Sequence, residues 1–184
     1  MSLSIFVDMH RNRIIIFAIS GLSRTRWGYR LSAFADGAAT YALIRRRSDH
    51  DSEITKPPLL EELVYVGSGW ARPRVGSLLK AVRRSFDREG LEAPRPGERH
   101  GVDDWAAGIG TSLDISELFL IVVFNGIPDD VERELLRIYR EEFGQLPPAN
   151  RHDRIGRLTV KGRTKCPTCV LSGIVAMFIR RRKP

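Results

Sequence analysis

Residues 118–124 read LFLIVVF, seven consecutive apolar positions with no polar interruption, and that run constrains the chain most. A half-exposed strand alternates and an amphipathic helix repeats every three to four residues. An unbroken, β-branched and aromatic run of this length instead predicts a strand buried on both faces, in the middle of a sheet. The rest of the domain must then supply flanking strands and a cover for each face.

Candidate strands are short. Residues 39–44 (ATYALI) end in charge and residues 63–66 (LVYV) end in glycine, as neighbouring strands do. Residues 5–19, with Ile14, Ile15, Ile16 and Phe17 at their centre, predict an additional N-terminal strand or hairpin. Residues 21–37 lack periodicity and read as a connection or a basic arm. Beyond Gly69, Val75, Leu78, Leu79, Val82 and Phe86 recur at helical spacing, with Lys80, Arg83, Arg84 and Arg88 on the other side, predicting a basic amphipathic helix. Pro128, Asp129 and Asp130 are helix-opening residues before a second helix over 131–143, which Gly144 and Pro147-Pro148 stop. Residues 45–62 and 90–101 read as exposed loops. The fold class is therefore α+β (α/β): a small, mainly antiparallel three-stranded sheet flanked by helices, with the N-terminal strand or hairpin added. The chain divides into an extension over 1–36, a core over 37–152 and a basic extension over 153–184.

With 184 residues the chain can bury one sizeable core. Its 30 Lys and Arg against 22 Asp and Glu, a formal charge of +8, favour a polyanionic partner. No run approaches the roughly 20 apolar residues of a membrane span. Arginines 24, 26 and 30 follow the first apolar run where a signal peptide would carry small residues, so a cytoplasmic protein is expected. Cys166 and Cys169 have zinc-knuckle spacing, but a structural zinc needs four ligands and His100, His152 or a second chain would have to complete the set; free thiols are the simpler reading. None of His10, His50, His100 and His152 is assigned to catalysis.

The order of these pieces carries a resemblance. Tyr41-Ala42-Leu43 after Gly37, then Tyr65-Val66-Gly67-Ser68, Arg74 nine residues beyond Tyr65, Glu132 in Glu-Arg-Glu-Leu-Leu, and Pro147-Pro148-Ala149-Asn150 stand in the order of the GIY-YIG nuclease signature. Over residues 37–150 the chain resembles that family. Ala39 and Thr40 replace the family's glycine and isoleucine, and the histidine that many members carry one turn after the arginine is absent, with Leu78 and Lys80 in that region. The resemblance implies a metal-dependent endonuclease acting on double-stranded DNA, with Tyr41, Tyr65, Arg74 and Glu132 as catalytic residues. Gly67 and Asn150 would support the site, Arg72 is the near alternative to Arg74, and Glu134 the alternative to Glu132.

Phosphodiester hydrolysis adds negative charge to a phosphorus already flanked by anionic oxygens, so the residue types make sense. An arginine meets phosphate bidentately without losing its proton. A single carboxylate can hold Mg²⁺ or Mn²⁺, since water and phosphate complete the shell. Tyrosines beside a cation and a guanidinium can act as base or orient water. Glycine 67 permits a close backbone approach. Lys80, Arg83 and Arg84 are expected to meet DNA, and a homodimer would suit a symmetric cut. Two rivals remain: a catalytically silent nucleic-acid-binding module of the same fold, and a structural or protein-interaction domain.

Overall fold

The computed structural model describes residues 6–9, 12–19, 37–46, 58–86, 100–109, 114–124 and 128–151. Its strands are β1 (Phe6–Met9), β2 (Asn12–Ala18), β3 (Ala38–Arg45), β4 (Leu63–Trp70) and β5 (Leu118–Phe124). Its helices are α1 (Ala71–Phe86), α2 (Gly101–Ile109) and α3 (Pro128–Phe143). Among the described residues all strands lie in one five-stranded sheet, in the order β1-β2-β5-β3-β4 and antiparallel throughout.

The apolar run is β5, and it occupies the centre, paired with β2 on one side and β3 on the other. Each face of the sheet has its own cover. On one face Tyr41, Leu43, Leu120 and Val122 pack with Val75, Leu78 and Val82 of α1 and Val102 of α2. On the other, Ala42, Ile44, Ile121 and Val123 pack with Val131, Leu135 and Leu136 of α3. Because successive strand residues point to opposite faces, β5 must be apolar at every position to satisfy both covers. Truncating a fully buried side chain here, such as Leu120, costs about 2–5 kcal/mol.

Three features extend or correct the expectations. The N-terminal hairpin joins the sheet by pairing β2 along β5, so the sheet has five strands where the signature pieces alone predict three. Helix α3 begins at Pro128, ahead of residue 131, with the proline at the position whose missing N–H costs nothing and Asp129 and Asp130 in the first turn. Helix α2 was not anticipated: Val102, Trp105, Ala106 and Ile109 form its inner stripe, with Asp103 and Asp104 in its first turn. Among the described residues no helix is long and apolar enough to cross a membrane. Cys166, Cys169, the basic tail, His10, His50, His152 and most of the two predicted loops lie outside the described residues.

Candidate active site

Strand register brings the two signature tyrosines together. Tyr41 lies opposite Gly67, and Leu43 opposite Tyr65, so both tyrosines emerge on the sheet face covered by α1 and α2. Their rings are tilted with centroids 6.1 Å apart, and their hydroxyls are hydrogen-bonded. Both hydroxyls close over Gly67. A Cβ there would stand 2.7 Å from Cζ and Oη of Tyr41 and 2.8 Å from Oη of Tyr65. The glycine of the YVG segment is thus a steric requirement of the tyrosine pair.

Strand β4 passes into α1 without a loop. Gly69, at φ +126°, makes the turn that only glycine adopts readily, and the Arg74 side chain folds back over it, 3.3 Å from where a Cβ would be. Arg74 itself is exposed, as is Arg72 beside it. Both are in the first turn of α1, which holds no acidic residue.

Glu132 reaches the same edge of the sheet from the α3 side. Positions 131, 132, 135, 136 and 139 form the inner stripe of α3, so Glu132 occupies a place where the helical pattern asks for an apolar side chain, and it is only 7% exposed. Its Oε2 and the Oδ1 of Asp129 both contact the Ser68 hydroxyl, the Asp129 contact at 2.5 Å. A hydroxyl has one proton and cannot donate to two carboxylates at once. Glu134, the alternative, instead pairs with Arg137 on the outer side of the helix.

The ionisation of Tyr41 connects these groups. Burial raises its pKa most, followed by Tyr65 and Glu132, while Arg74 pulls it back. Desolvation thus outweighs Arg74, so the guanidinium by itself leaves Tyr41 a neutral phenol. The hydrogen bond to Tyr65 also favours that protonated form.

Asn150 acts on the backbone. Its Oδ1 accepts from the Val66 N–H at 3.0 Å and its Nδ2 donates to the Val66 carbonyl at 2.8 Å, closing both polar groups of a residue on the outer edge of β4. The Ala149 N–H adds a bond of 2.9 Å to the Val64 carbonyl. The PPAN segment thus forms a turn docked on the outer edge of β4 through one backbone bond and the Asn150 amide, and holds the stretch that carries Tyr65 and Gly67.

His100 is the residue that sequence reasoning missed. Its ring packs edge-on against Tyr65, with centroids 4.7 Å apart. It caps α2: its Nδ1 accepts from the Val102 N–H at 3.2 Å, while Asp103 accepts from the His100 N–H at 2.7 Å. The proton of the neutral ring is therefore on Nε2. Burial lowers its pKa most, Asp103 opposes, and Arg151, Arg84 and Arg74 lower it further. A polar residue three positions before an aspartate, ahead of an apolar stripe, was the available signal for this cap.

The basic face of α1 divides. Lys80 is exposed and Arg83 partly so, but Arg84 is turned into the α1–α2 junction, where its Nη2 lies 2.9 Å from Asp103 and its side chain is 14% exposed. Arg84 is thus removed from the surface expected to meet DNA. Among the described residues no group of three or more His, Cys, Asp or Glu side chains is arranged to hold a metal. The Asp129–Glu132 pair does match the lesser demand of Mg²⁺, which binds through one or two carboxylates and retains water. Comparison with protein-family models, with curated proteins and with solved structures returns no match.

Proposed function

We propose that this chain is a metal-dependent endonuclease that hydrolyses DNA phosphodiester bonds at a GIY-YIG-like site. The observation that carries the reading is the gathering of signature residues along one stretch of β4: two tyrosine hydroxyls close over Gly67, Glu132 contacts Ser68 and the Arg74 side chain lies over Gly69. Ordinary sheet aromatics have no need of this combination. A carboxylate in the inner stripe of α3 adds support, because an acidic group there is disfavoured unless it is partnered.

Within this reading Arg74 binds the scissile phosphate and stabilises the charge that develops on its oxygens. Glu132, with Asp129 beside it, would hold a Mg²⁺ or Mn²⁺ ion, which when bound supplies positive charge and a more acidic water. Tyr41 is a donor: burial keeps its proton, and its hydroxyl fixes the Tyr65 oxygen. Tyr65 is partly exposed, and orienting the attacking water is therefore assigned to it and not to the buried Tyr41. Asn150 keeps this part of β4 in place, and Gly67 lets the hydroxyls approach the backbone. Double-stranded DNA is the proposed substrate, with Lys80 and Arg83 as further phosphate contacts.

A silent nucleic-acid-binding module is the second reading, and one observation favours it. The Ser68 contact with Glu132 ties β4 to α3, which gives the carboxylate a structural use. Incubating supercoiled plasmid with purified protein in Mg²⁺ or Mn²⁺, against chelator, separates the two. Metal-dependent nicking or linearisation is expected of the enzyme; salt-sensitive binding with no strand scission in either metal would establish the module instead.

A further inference from the structure

Trp70 is 62% exposed, far more than the next most exposed large apolar side chain among the described residues, Phe143 at 38%. Its position is not that of a loose loop residue. It ends β4 opposite Ala38, directly after Gly69, and the next residue's N–H bonds to the Gly37 carbonyl at 3.1 Å. An indole on backbone paired to β3 is offered to solvent at little conformational cost, since only two side-chain angles remain to be fixed. Arg72 and Arg74, both exposed, follow within one turn of α1.

We infer that Trp70 is a stacking platform for an unstacked nucleobase next to the phosphate held by Arg74, which makes a duplex with an unpaired or extruded nucleotide the preferred substrate. The inference rests on the nuclease reading for the role of Arg74. Charge complementarity selects the partner: an aromatic face beside two arginines, on a chain of net charge +8, suits a base attached to phosphates. Position agrees. Trp70 closes β4 and Arg74 lies in the first turn of the helix that follows it directly, so both exposed side chains stand at one strand–helix junction. A base within an intact stack has no free face, so the contact requires an opened one.

The test is equilibrium binding in chelator, by fluorescence anisotropy, to a fully paired duplex and to the same duplex with one unpaired adenine. Wild type, Trp70→Phe and Trp70→Ala are compared. Wild type is expected to bind the bulged duplex about tenfold more tightly, Trp70→Phe to keep most of that preference and Trp70→Ala to lose it, with affinity for the paired duplex changed less than about twofold. With 2-aminopurine as the unpaired base, wild type should quench its fluorescence and Trp70→Ala should not. Equal affinity of wild type for both duplexes overturns the inference. So does an equal loss on both in Trp70→Ala, the mark of a sugar–phosphate contact, and so does the absence of any DNA affinity, which would leave the indole to a protein partner. Plasmid cleavage separates the two claims: Trp70-dependent preference without hydrolysis defeats only the nuclease reading, and hydrolysis without that preference defeats only this inference.

Discussion

Replacing Gly67 by alanine adds one methyl group where the site is tightest. The new Cβ would lie 2.7 Å from Cζ and Oη of Tyr41 and 2.8 Å from Oη of Tyr65. Relaxed contacts to carbon lie near 3.5 Å, so the hydroxyls must withdraw by about 0.7–0.8 Å. Backbone strain adds nothing, because among the described glycines only Gly69 and Gly144 have positive φ. Tyr41 is 3% exposed and its ring is enclosed by α1 and the sheet, so it cannot swing aside freely. Overpacking of this kind costs about 1–3 kcal/mol. For a chain of this size that lowers Tm by about 2–12 °C. Catalysis should suffer more, by about 10²-fold, since displacement approaching 1 Å at a reacting centre has that order of effect. The assays are a thermal melt followed by circular dichroism, plasmid nicking under single-turnover conditions, and DNA affinity, which should hold within about twofold. Adding Tyr41→Phe removes one crowded oxygen and should recover part of the lost Tm without restoring cleavage. A Gly67→Ala protein that melts and cleaves like wild type would refute the claim that the glycine exists to let the hydroxyls close.

Other perturbations test the supports. Asn150→Ala removes two bonds to Val66, a residue with no exposed surface, and should lower stability by about 2–4 kcal/mol in denaturant titration; Asn150→Asp should not rescue it, because an anionic oxygen would then face the Val66 carbonyl. Arg84→Ala should cost about 2 kcal/mol by leaving the Asp103 carboxylate without its guanidinium at the α1–α2 junction, with no change in the salt dependence of DNA binding, whereas Lys80→Ala should reduce that slope by about one and leave stability alone. Stability should also depend on pH through His100. Its pKa in the fold is below the ordinary 6.5, so as pH falls the unfolded chain takes up the proton first; the contribution is complete above about pH 6.5 and is lost from there down through the folded-state value. His100→Asn, which keeps a capping side chain but cannot titrate, should remove that component from melts between pH 7 and pH 5.

Local pattern was enough for some of this architecture and not for the rest. The run of β5 declares a doubly covered strand because every position must be apolar, and Pro128 with the two aspartates declares the start of α3 within a few residues. Tyr41, Tyr65, Arg74 and Glu132 could be selected by their order along the chain. The placement of β5 between β2 and β3 could not be read, since any of several antiparallel orders satisfies the same local patterns. Helix α2 follows a segment rich in proline and glycine and contains Gly101 and Gly108, which mask a short inner stripe. The neutrality of Tyr41 depends on how deeply α1 buries it, and the withdrawal of Arg84 from the exposed basic face of α1 depends on where Asp103 lies; both are tertiary facts. His100 came to Tyr65 through a helix cap, a route with no fixed spacing from the signature.

Strand scission by Glu132→Gln, measured beside its DNA affinity, tests the central claim most directly. Glutamine preserves the shape and can still accept from Ser68, so the link between α3 and β4 remains while the charge is lost. The account predicts wild-type nicking of supercoiled plasmid in Mg²⁺, a loss of about 10²-fold or more in the variant, and affinity for DNA within about threefold of wild type. Undiminished nicking by Glu132→Gln would contradict the assignment of this carboxylate to the reaction, and with it the site described around Gly67.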